Sequence, residues 1–189
     1  MKRIFTACFL IVFFFFHIVI TRASDKEVLV VYFSRDGHTH MVAQKLAEAF
    51  DADIERLRDQ KERTGMIGTL SAGKDAMAHN VTEIEPLANN PNDYSVILIG
   101  TPAWFSNMAP AVRTFIEQFH LTDKTIGLFS TCHRIGADKA TQQMAELISA
   151  EKAAGYARLP LTHHDLEEGM LAEKIKQFES AINAQRLNE

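Results

Sequence analysis

Two residues with hydroxyl side chains, Ser34 and Thr39, stand at the ends of a short polar loop that contains one glycine, Gly37. The loop follows an apolar run at residues 28–33 and precedes a segment whose apolar residues have helical spacing. The first turn of a helix has unpaired backbone N–H groups and a partial positive charge, so a phosphate group fits there, and the hydroxyls add further donors. Gly37 allows a tight turn and a close approach of the backbone to a ligand. The spacing therefore predicts a phosphate-binding loop.

Charged and ionisable side chains share this loop with the hydroxyls. Arg35 would favour a bound phosphate if its guanidinium turned inward. Asp36 would oppose one unless its carboxylate points to solvent or caps the following helix. His38 and His40 lie on different faces of that helix, which argues against a shared metal ion, and we expect one of them to offer only its backbone.

The elements that must position this loop alternate between apolar strands and amphipathic helices. The predicted strands are residues 28–33, 53–57, 95–100, 125–130 and 156–161, and the predicted helices are residues 39–50, 110–119, 138–150 and 168–184. Such alternation implies a parallel sheet covered on both faces. Parallel sheets bind ligands at the carboxyl ends of their strands. The predicted binding loops are therefore residues 34–39, 101–109 and 131–137.

Residues 58–80 have a less regular pattern, because Gly65, Gly68 and Gly73 interrupt their apolar positions. We expect a helix with an irregular start that covers the sheet. A loop that reaches the ligand site is the alternative. No linker divides residues 24–189, so the sequence predicts a single domain there.

The first loop and its flanks fit a longer pattern of two aliphatic residues, an aromatic, a hydroxyl, a small residue and a threonine, then an alanine and an aliphatic residue in the helix. The residues at these positions are Val30, Val31, Tyr32, Ser34, Gly37, Thr39, Ala43 and Leu46. This pattern resembles the phosphate loop of the flavodoxin family. It lacks the three glycines of the dinucleotide fingerprint and the Gly-Lys-Ser/Thr of a P-loop. Residues 99–105 and 108–115 are similar to the second flavin loop of the same family.

The resemblance implies an α/β three-layer sandwich, with a five-stranded parallel sheet of order 2-1-3-4-5, and FMN as the cofactor. The FMN site that it implies comprises Ser34, Arg35, Asp36, Gly37, His38, Thr39, Pro102, Ala103, Trp104, Phe105, Thr131, Cys132 and His133. Trp104 holds the position whose ring lies along the isoalloxazine. The third loop has no aromatic residue, so either His133 substitutes or that face is open. We assign no catalytic acid, base or metal ligand.

Redox chemistry is the function that the resemblance implies, with electron transfer as the predicted role. The chain has no obvious nicotinamide-binding module, which favours a carrier that exchanges electrons with redox protein partners. The alternative is an NAD(P)H-dependent reductase that acts on a quinone-like acceptor. A third hypothesis is a flavin-free interaction module that kept the fold, motivated by Asp36 and by the missing third-loop aromatic.

The chain is acidic, with 24 Asp and Glu against 20 Lys and Arg and a net charge of −4 at pH 7. This balance argues against a nucleic-acid partner, which requires a clustered basic face. An acidic surface suits docking on basic redox partners, and it equally suits solubility alone. With only Cys8 and Cys132, a metal site built on several cysteines is excluded.

The first 23 residues differ in composition from the rest of the chain. Two basic residues precede an apolar run at residues 4–20, and small residues flank Arg22 where a signal peptidase cleaves. We expect a signal peptide cleaved after Ala23 and hence an exported protein, periplasmic or extracellular. The alternative is an uncleaved N-terminal membrane anchor. Cleavage would lower the Lys and Arg count from 20 by three, to 17, which gives a net charge of −7.

Further side chains outside the first loop invite a functional interpretation. His163, His164 and Asp165 have the residue types of metal ligands, but adjacent histidines usually point apart, so we predict no metal there. Cys132, at the end of a predicted strand, is more typical of packing than of a reactive thiol. Trp104 directly follows a strand, which favours a place at the ligand edge over a place in the core.

Overall fold

Strands and helices alternate along the chain, of which the computed structural model describes residues 26–60 and 80–187. The strands are β1 (Val28–Tyr32), β2 (Asp53–Arg56), β3 (Val96–Pro102), β4 (Thr125–Cys132) and β5 (Ala157–Thr162). The helices are α1 (His38–Ala49), α2 (Pro110–Gln118), α3 (Ala137–Ile148) and α4 (Glu168–Arg186). Short 3-10 turns lie in the connections, at Pro91–Asp93, Ala153–Gly155 and His164–Leu166.

The strands in the described part of the chain form one parallel sheet of order β2-β1-β3-β4-β5. All five residues of β1 are buried, as is typical of a strand covered on both faces. β2 lies at an edge and alternates between buried and exposed residues. The structure confirms the predicted sheet and its strand order.

Hydrophobic clusters on both faces of the sheet complete a three-layer sandwich. Side chains of β1 alternate between the faces. Val28, Val30 and Tyr32 join a cluster formed with α1 and α4. Leu29 and Val31 join a second cluster, formed with α2 and α3. The predicted three-layer architecture is therefore confirmed.

Gly100 in β3 gives room to an aromatic ring of the neighbouring strand. A Cβ at this position would lie 2.0 Å from Cζ of Phe129, whose side chain is fully buried. The absence of a side chain at Gly100 thus lets the ring fill the core two residues before β3 ends.

β3 and β4 extend two residues further than the sequence analysis predicted. Pro102, Thr131 and Cys132, which we had assigned to loops, are strand residues. Pairing continues because the parallel ladder depends on backbone hydrogen bonds, which need no apolar side chains; Pro102 pairs with Thr131, and Cys132 with Thr162. The other predicted boundaries lie within two residues of the observed ones, and several coincide with them.

Two predictions fall outside the described residues: the signal peptide or anchor at residues 1–23, and most of the segment 58–80. Beside the second gap, Asp59 pairs with Ile84 in an isolated antiparallel bridge. Of the helices in residues 26–60 and 80–187, none combines the length and the apolar character needed to cross a membrane.

Candidate functional site

A cleft of about 280 Å³ lies at the carboxyl edge of the sheet. Eleven of the thirteen predicted site residues line it, all except Gly37 and Phe105. His163, which follows β5 and was not predicted, lines it as well. The carboxyl ends of β1, β3, β4 and β5 thus converge on one site, as expected for a parallel α/β sheet.

The start of α1 has the features of an anion site. Gly37 precedes the helix with φ 93°, a left-handed conformation that favours glycine, and no side chain caps the helix. Ser34 is 4% exposed, and its Oγ has no hydrogen-bond partner among the described residues. A buried polar atom without a partner carries a free-energy cost, which a bound acceptor or donor relieves. The cleft therefore has a buried hydroxyl that can bond a ligand next to a helix N-terminus.

A hydroxyl pair joins the first loop to the third. Thr39 Oγ1 in α1 and Thr131 Oγ1 in β4 lie 2.8 Å apart and are buried. The N–H of Ala103 donates to the carbonyl of Thr131 at 2.8 Å. The three predicted loops are thus hydrogen-bonded to one another at the floor of the cleft.

Arg35 and Asp36 form an ion pair at the mouth of the cleft. Arg35 Nε and Nη2 donate to Oδ1 and Oδ2 of Asp36, both at 2.9 Å. The Arg35 guanidinium holds the pKa of Asp36 below its usual range. The Asp36 carboxylate is mostly exposed and does not cap α1, so the first of the two expected positions is the one observed. Because the two charges offset each other, Asp36 does not make the cleft acidic.

A tight turn carries Trp104 into the cleft. Trp104 and Asn107 exchange backbone hydrogen bonds of 2.9 and 3.0 Å, and both central residues have positive φ, 49° for Phe105 and 62° for Ser106. Residues other than glycine rarely adopt this conformation. Asn107 Nδ2 donates to the Phe105 carbonyl at 2.8 Å, and Gln143 Nε2 donates to Asn107 Oδ1 at 2.6 Å. These bonds hold the strained turn in place.

The same turn directs Phe105 away from the cleft. Phe105, which we predicted among the cofactor-binding residues, is 68% exposed and does not line the cleft. Positive φ at both central positions reverses the chain directly after Trp104, so the two aromatic neighbours do not share a surface.

Trp104 itself is half-buried between two side chains of the first connection. Its ring meets Phe33 edge-on, with centroids 5.6 Å apart and an interplanar angle of 85°. The Arg35 guanidinium carbon lies 5.7 Å from the ring centroid. These contacts fix the indole at the ligand edge of the sheet, where the sequence analysis placed it.

The third connection brings Cys132 and His133 to the cleft without an aromatic residue. Cys132 is half-buried, and burial raises the pKa of its thiol above the usual range. The group is therefore protonated at neutral pH, which agrees with a packing role rather than a reactive thiol. His133 is exposed at the rim.

His163 is the lining residue that sequence reasoning missed. Its ring contacts the rings of His38 and His133, whereas His164 Nδ1 lies 3.0 Å from Glu167 Oε1. The adjacent histidines thus point apart, as expected. In the part of the chain that the structure describes, no group of three His, Cys, Asp or Glu is arranged to hold a metal ion. The sequence did offer one signal for His163. This residue follows the predicted fifth strand, which ends at the same edge of the sheet as the other strands that line the cleft.

Arg56 is a second residue whose role the sequence did not indicate. Its Nη2 donates to the backbone carbonyl of Ser34 at 2.9 Å. The parallel register places Arg56 beside Tyr32, two residues before Ser34. Arg56 therefore anchors the first loop from the edge strand.

The sequence profile of a family described as Flavodoxin matches residues 27–157. This stretch includes β1 to β4 and the three connections that carry all the predicted site residues. It ends before His163, which lies outside the matched region.

Several solved structures share the fold. A flavoprotein from Lactobacillus acidophilus NCFM, solved in complex with FMN, is 20% identical, with a TM-score of 0.59 over 78% of this chain and 99% of that chain. A protein from Bacteroides uniformis ATCC 8492 described as a flavoprotein is 23% identical, with a TM-score of 0.64 over 82% and 98%. A WrbA-like flavodoxin from Agrobacterium tumefaciens is 19% identical, with a TM-score of 0.55 over 86% and 98%.

Proposed function

The chain belongs to the flavodoxin family, and we propose that it binds FMN in the cleft and serves in electron transfer. The observation that carries the proposal is the Ser34 hydroxyl, which lines the cleft, is buried, and has no partner within the described residues. When bound, the flavin supplies the redox chemistry, while the protein binds it, orients it and adjusts its potential.

The start of α1 fits the phosphate group of FMN. The uncapped helix offers backbone N–H donors, and Ser34 offers a buried hydroxyl. Arg56 holds the backbone of this loop through the Ser34 carbonyl, so the donors are positioned before the ligand arrives. Asp36, which motivated the hypothesis of a flavin-free module, is offset by Arg35.

Trp104 fits the flavin ring. The turn at residues 104–107 fixes its indole at the cleft, and Phe33 supports it from one edge. Stacking on an aromatic side chain contributes about 0.5–1.5 kcal/mol beyond simple burial. A flavin ring beside this indole would exclude water from one of its faces.

Replacing Ser34 tests the assignment of the phosphate site. We expect Ser34→Ala to weaken FMN binding about tenfold, because one hydrogen bond to a charged group is lost. Riboflavin, which has no phosphate, should bind the variant and the wild type equally. Flavin fluorescence quenched on titration with apoprotein measures both affinities.

Ser130 offers a matched control for this experiment. Its hydroxyl is also fully buried and without a partner among the described residues, but it does not line the cleft. Ser130→Ala should therefore leave both affinities unchanged. Equal losses of FMN and riboflavin in Ser34→Ala, or the same loss in Ser130→Ala, would contradict the phosphate assignment.

A reductase is the second candidate function. The observation that favours it is the third connection, which lines the cleft with Cys132 and His133 and with no aromatic residue. Oxidation of NADH or NADPH by the FMN-loaded protein with a soluble quinone separates the candidates. Turnover supports a reductase with a quinone-like acceptor. Transfer of electrons to a redox protein without such turnover supports a carrier.

The flavin-free interaction module makes the opposite prediction for binding. If the fold serves only to contact a partner, neither FMN nor riboflavin binds at micromolar concentration. The titration of wild-type protein with FMN therefore separates this hypothesis from both redox candidates.

A further inference from the structure

The turn that carries Trp104 has a conformation that its own sequence does not favour. Phe105 and Ser106 occupy its two central positions, with φ of 49° and 62°. Two-residue turns with positive φ at both of these positions favour Asn and Gly, because other side chains are crowded there. Contacts from outside the turn must therefore hold this conformation.

The connection on either side of the turn is fixed to the end of the sheet. The Ala103 N–H donates to the Thr131 carbonyl at 2.8 Å. The Ala109 N–H donates to Thr101 Oγ1 at 2.9 Å. These bonds determine where the chain leaves β3 and where it enters α2. They do not involve residues 104–107, so the orientation of the turn itself depends on other contacts.

Helix α3 supplies such contacts, although none of the described residues that line the cleft belongs to it. Gly136, which precedes α3, packs closely on Ser106. A Cβ on Gly136 would lie 2.6 Å from Ser106 Oγ and 2.9 Å from Ser106 Cα. Gln143 Nε2 donates to Asn107 Oδ1 at 2.6 Å. Gly136 and Gln143 are seven residues apart, about two helical turns, so both lie on the side of α3 that faces the turn.

The directions of the hydrogen bonds give the Gln143 side chain a specific role. The Phe105 carbonyl can only accept, so Asn107 directs its Nδ2 toward it, at 2.8 Å. The Asn107 oxygen then faces Gln143, whose amide nitrogen must be the donor. Gln143 Oε1 is buried and has no hydrogen-bond partner among the described residues. Within residues 26–60 and 80–187, the side-chain amide of Gln143 thus bonds to the turn alone.

We propose that Gln143 is a positioning residue, which fixes the Trp104 indole in the cleft through Asn107. The inference rests on the proposed function in one respect, since it takes Trp104 as the residue that contacts the flavin ring. A side chain that is already held in place loses less conformational freedom when a ligand stacks on it. Gln143 therefore increases flavin affinity although it does not line the cleft.

The fluorescence of Trp104 reports on the turn directly, because it is the only tryptophan in the chain. Its emission maximum and its quenching by acrylamide are measured without flavin in wild type, Gln143→Met and Gln142→Met. Methionine is unbranched like glutamine and lacks the amide donor. Gln142 is the matched control, since it is exposed and bonds to Glu146 rather than to the turn. Urea unfolding checks that each variant is folded.

The inference predicts that Gln143→Met makes the indole more accessible to acrylamide and shifts its emission to longer wavelength. The affinities for FMN and for riboflavin should both fall about three- to fivefold, because the indole remains but must be ordered on binding. Gln142→Met should match wild type in fluorescence and in both affinities.

Gly136→Ala tests the same turn through its second contact with α3. The added methyl group would meet Ser106, and alanine is strained at the φ of 108° that Gly136 adopts. We expect the fluorescence of Trp104 to change in the same direction as in Gln143→Met. Gly155→Ala is its control, since a Cβ there has no neighbour within 4 Å.

Wild-type fluorescence or wild-type flavin affinities in folded Gln143→Met would overturn the inference and leave the proposed function standing. The same changes in Gln142→Met would also overturn it. If neither flavin binds the wild-type protein, the proposed function fails, whereas the fluorescence still decides whether Gln143 holds the indole in place.

Discussion

Trp104 is assigned to the flavin ring rather than to the phosphate, so its removal should affect FMN and riboflavin alike. We expect Trp104→Ala to weaken the binding of both about tenfold, which corresponds to about 1.4 kcal/mol and lies within the range of an aromatic stacking contact. Fluorescence titration with the two flavins measures the effect.

Phe105 is the matched control for Trp104, because it is the next residue and an aromatic that lies outside the cleft. We expect Phe105→Ala to leave both affinities within about twofold of wild type, since isolated surface side chains contribute little. If loss of Phe105 weakened flavin binding as much as loss of Trp104, the assignment of the ring-binding residue would be wrong.

Cys132 should react slowly with alkylating reagents at neutral pH. Burial raises the pKa of its thiol, and the thiolate is the reactive form, so less of it is present at pH 7 than for a free cysteine. The rate with iodoacetamide, followed by the mass of the peptide that contains Cys132, should rise with pH as the thiolate fraction grows. Urea-unfolded protein, in which burial is lost, should react at the ordinary rate. Rapid modification of the folded protein at pH 7 would contradict this account.

The residues that sequence reasoning placed well are those whose role depends on local order in the chain. Ser34 and Thr39 follow a buried strand and begin a helix, and Trp104 follows another strand, so chain order alone predicts that they meet at one edge. Arg56 was missed because its contact with the Ser34 carbonyl depends on the register between two strands. Phe105 was expected in the cleft, where the structure does not place it, because no glycine marks the turn that reverses the chain there.

At the scale of the elements, apolar patterning predicted each strand and helix in the described residues but not where strands end. β3 and β4 continue to Pro102 and Cys132 because backbone pairing persists beyond the apolar residues. His163 was missed for a related reason. The sequence indicated a fifth strand, but it did not indicate that the residue after β5 reaches the rings of His38 and His133.

Gly100 gives a test of packing within β3. We expect Gly100→Ala to lower the free energy of unfolding by about 1–3 kcal/mol, because the added methyl group would meet the buried Phe129 ring at 2.0 Å. Urea unfolding measures the change. Gly155→Ala is the control, since a Cβ there has no neighbour within 4 Å, and we expect it to stay within about 0.5 kcal/mol of wild type. Similar stability of the two variants would contradict the packing of β3 on β4.

At the scale of the whole molecule, the strand order came from the family resemblance, and the layers came from the alternation of strands and helices. A strand buried on both faces requires helices on both sides, and β1 shows this directly through its alternating contacts. Both the order and the layers are observed. The site is harder to predict than the fold, since it depends on turns and side-chain contacts between distant segments.

The central claim is that FMN binds at the carboxyl edge of the sheet with its phosphate at the start of α1. A crystal structure of the protein grown with FMN tests this most directly. The account predicts phosphate oxygens within hydrogen-bonding distance of Ser34 Oγ and of the first backbone N–H groups of α1, with the flavin ring against Trp104. A flavin bound elsewhere, or a cleft that stays empty at saturating FMN, would contradict it.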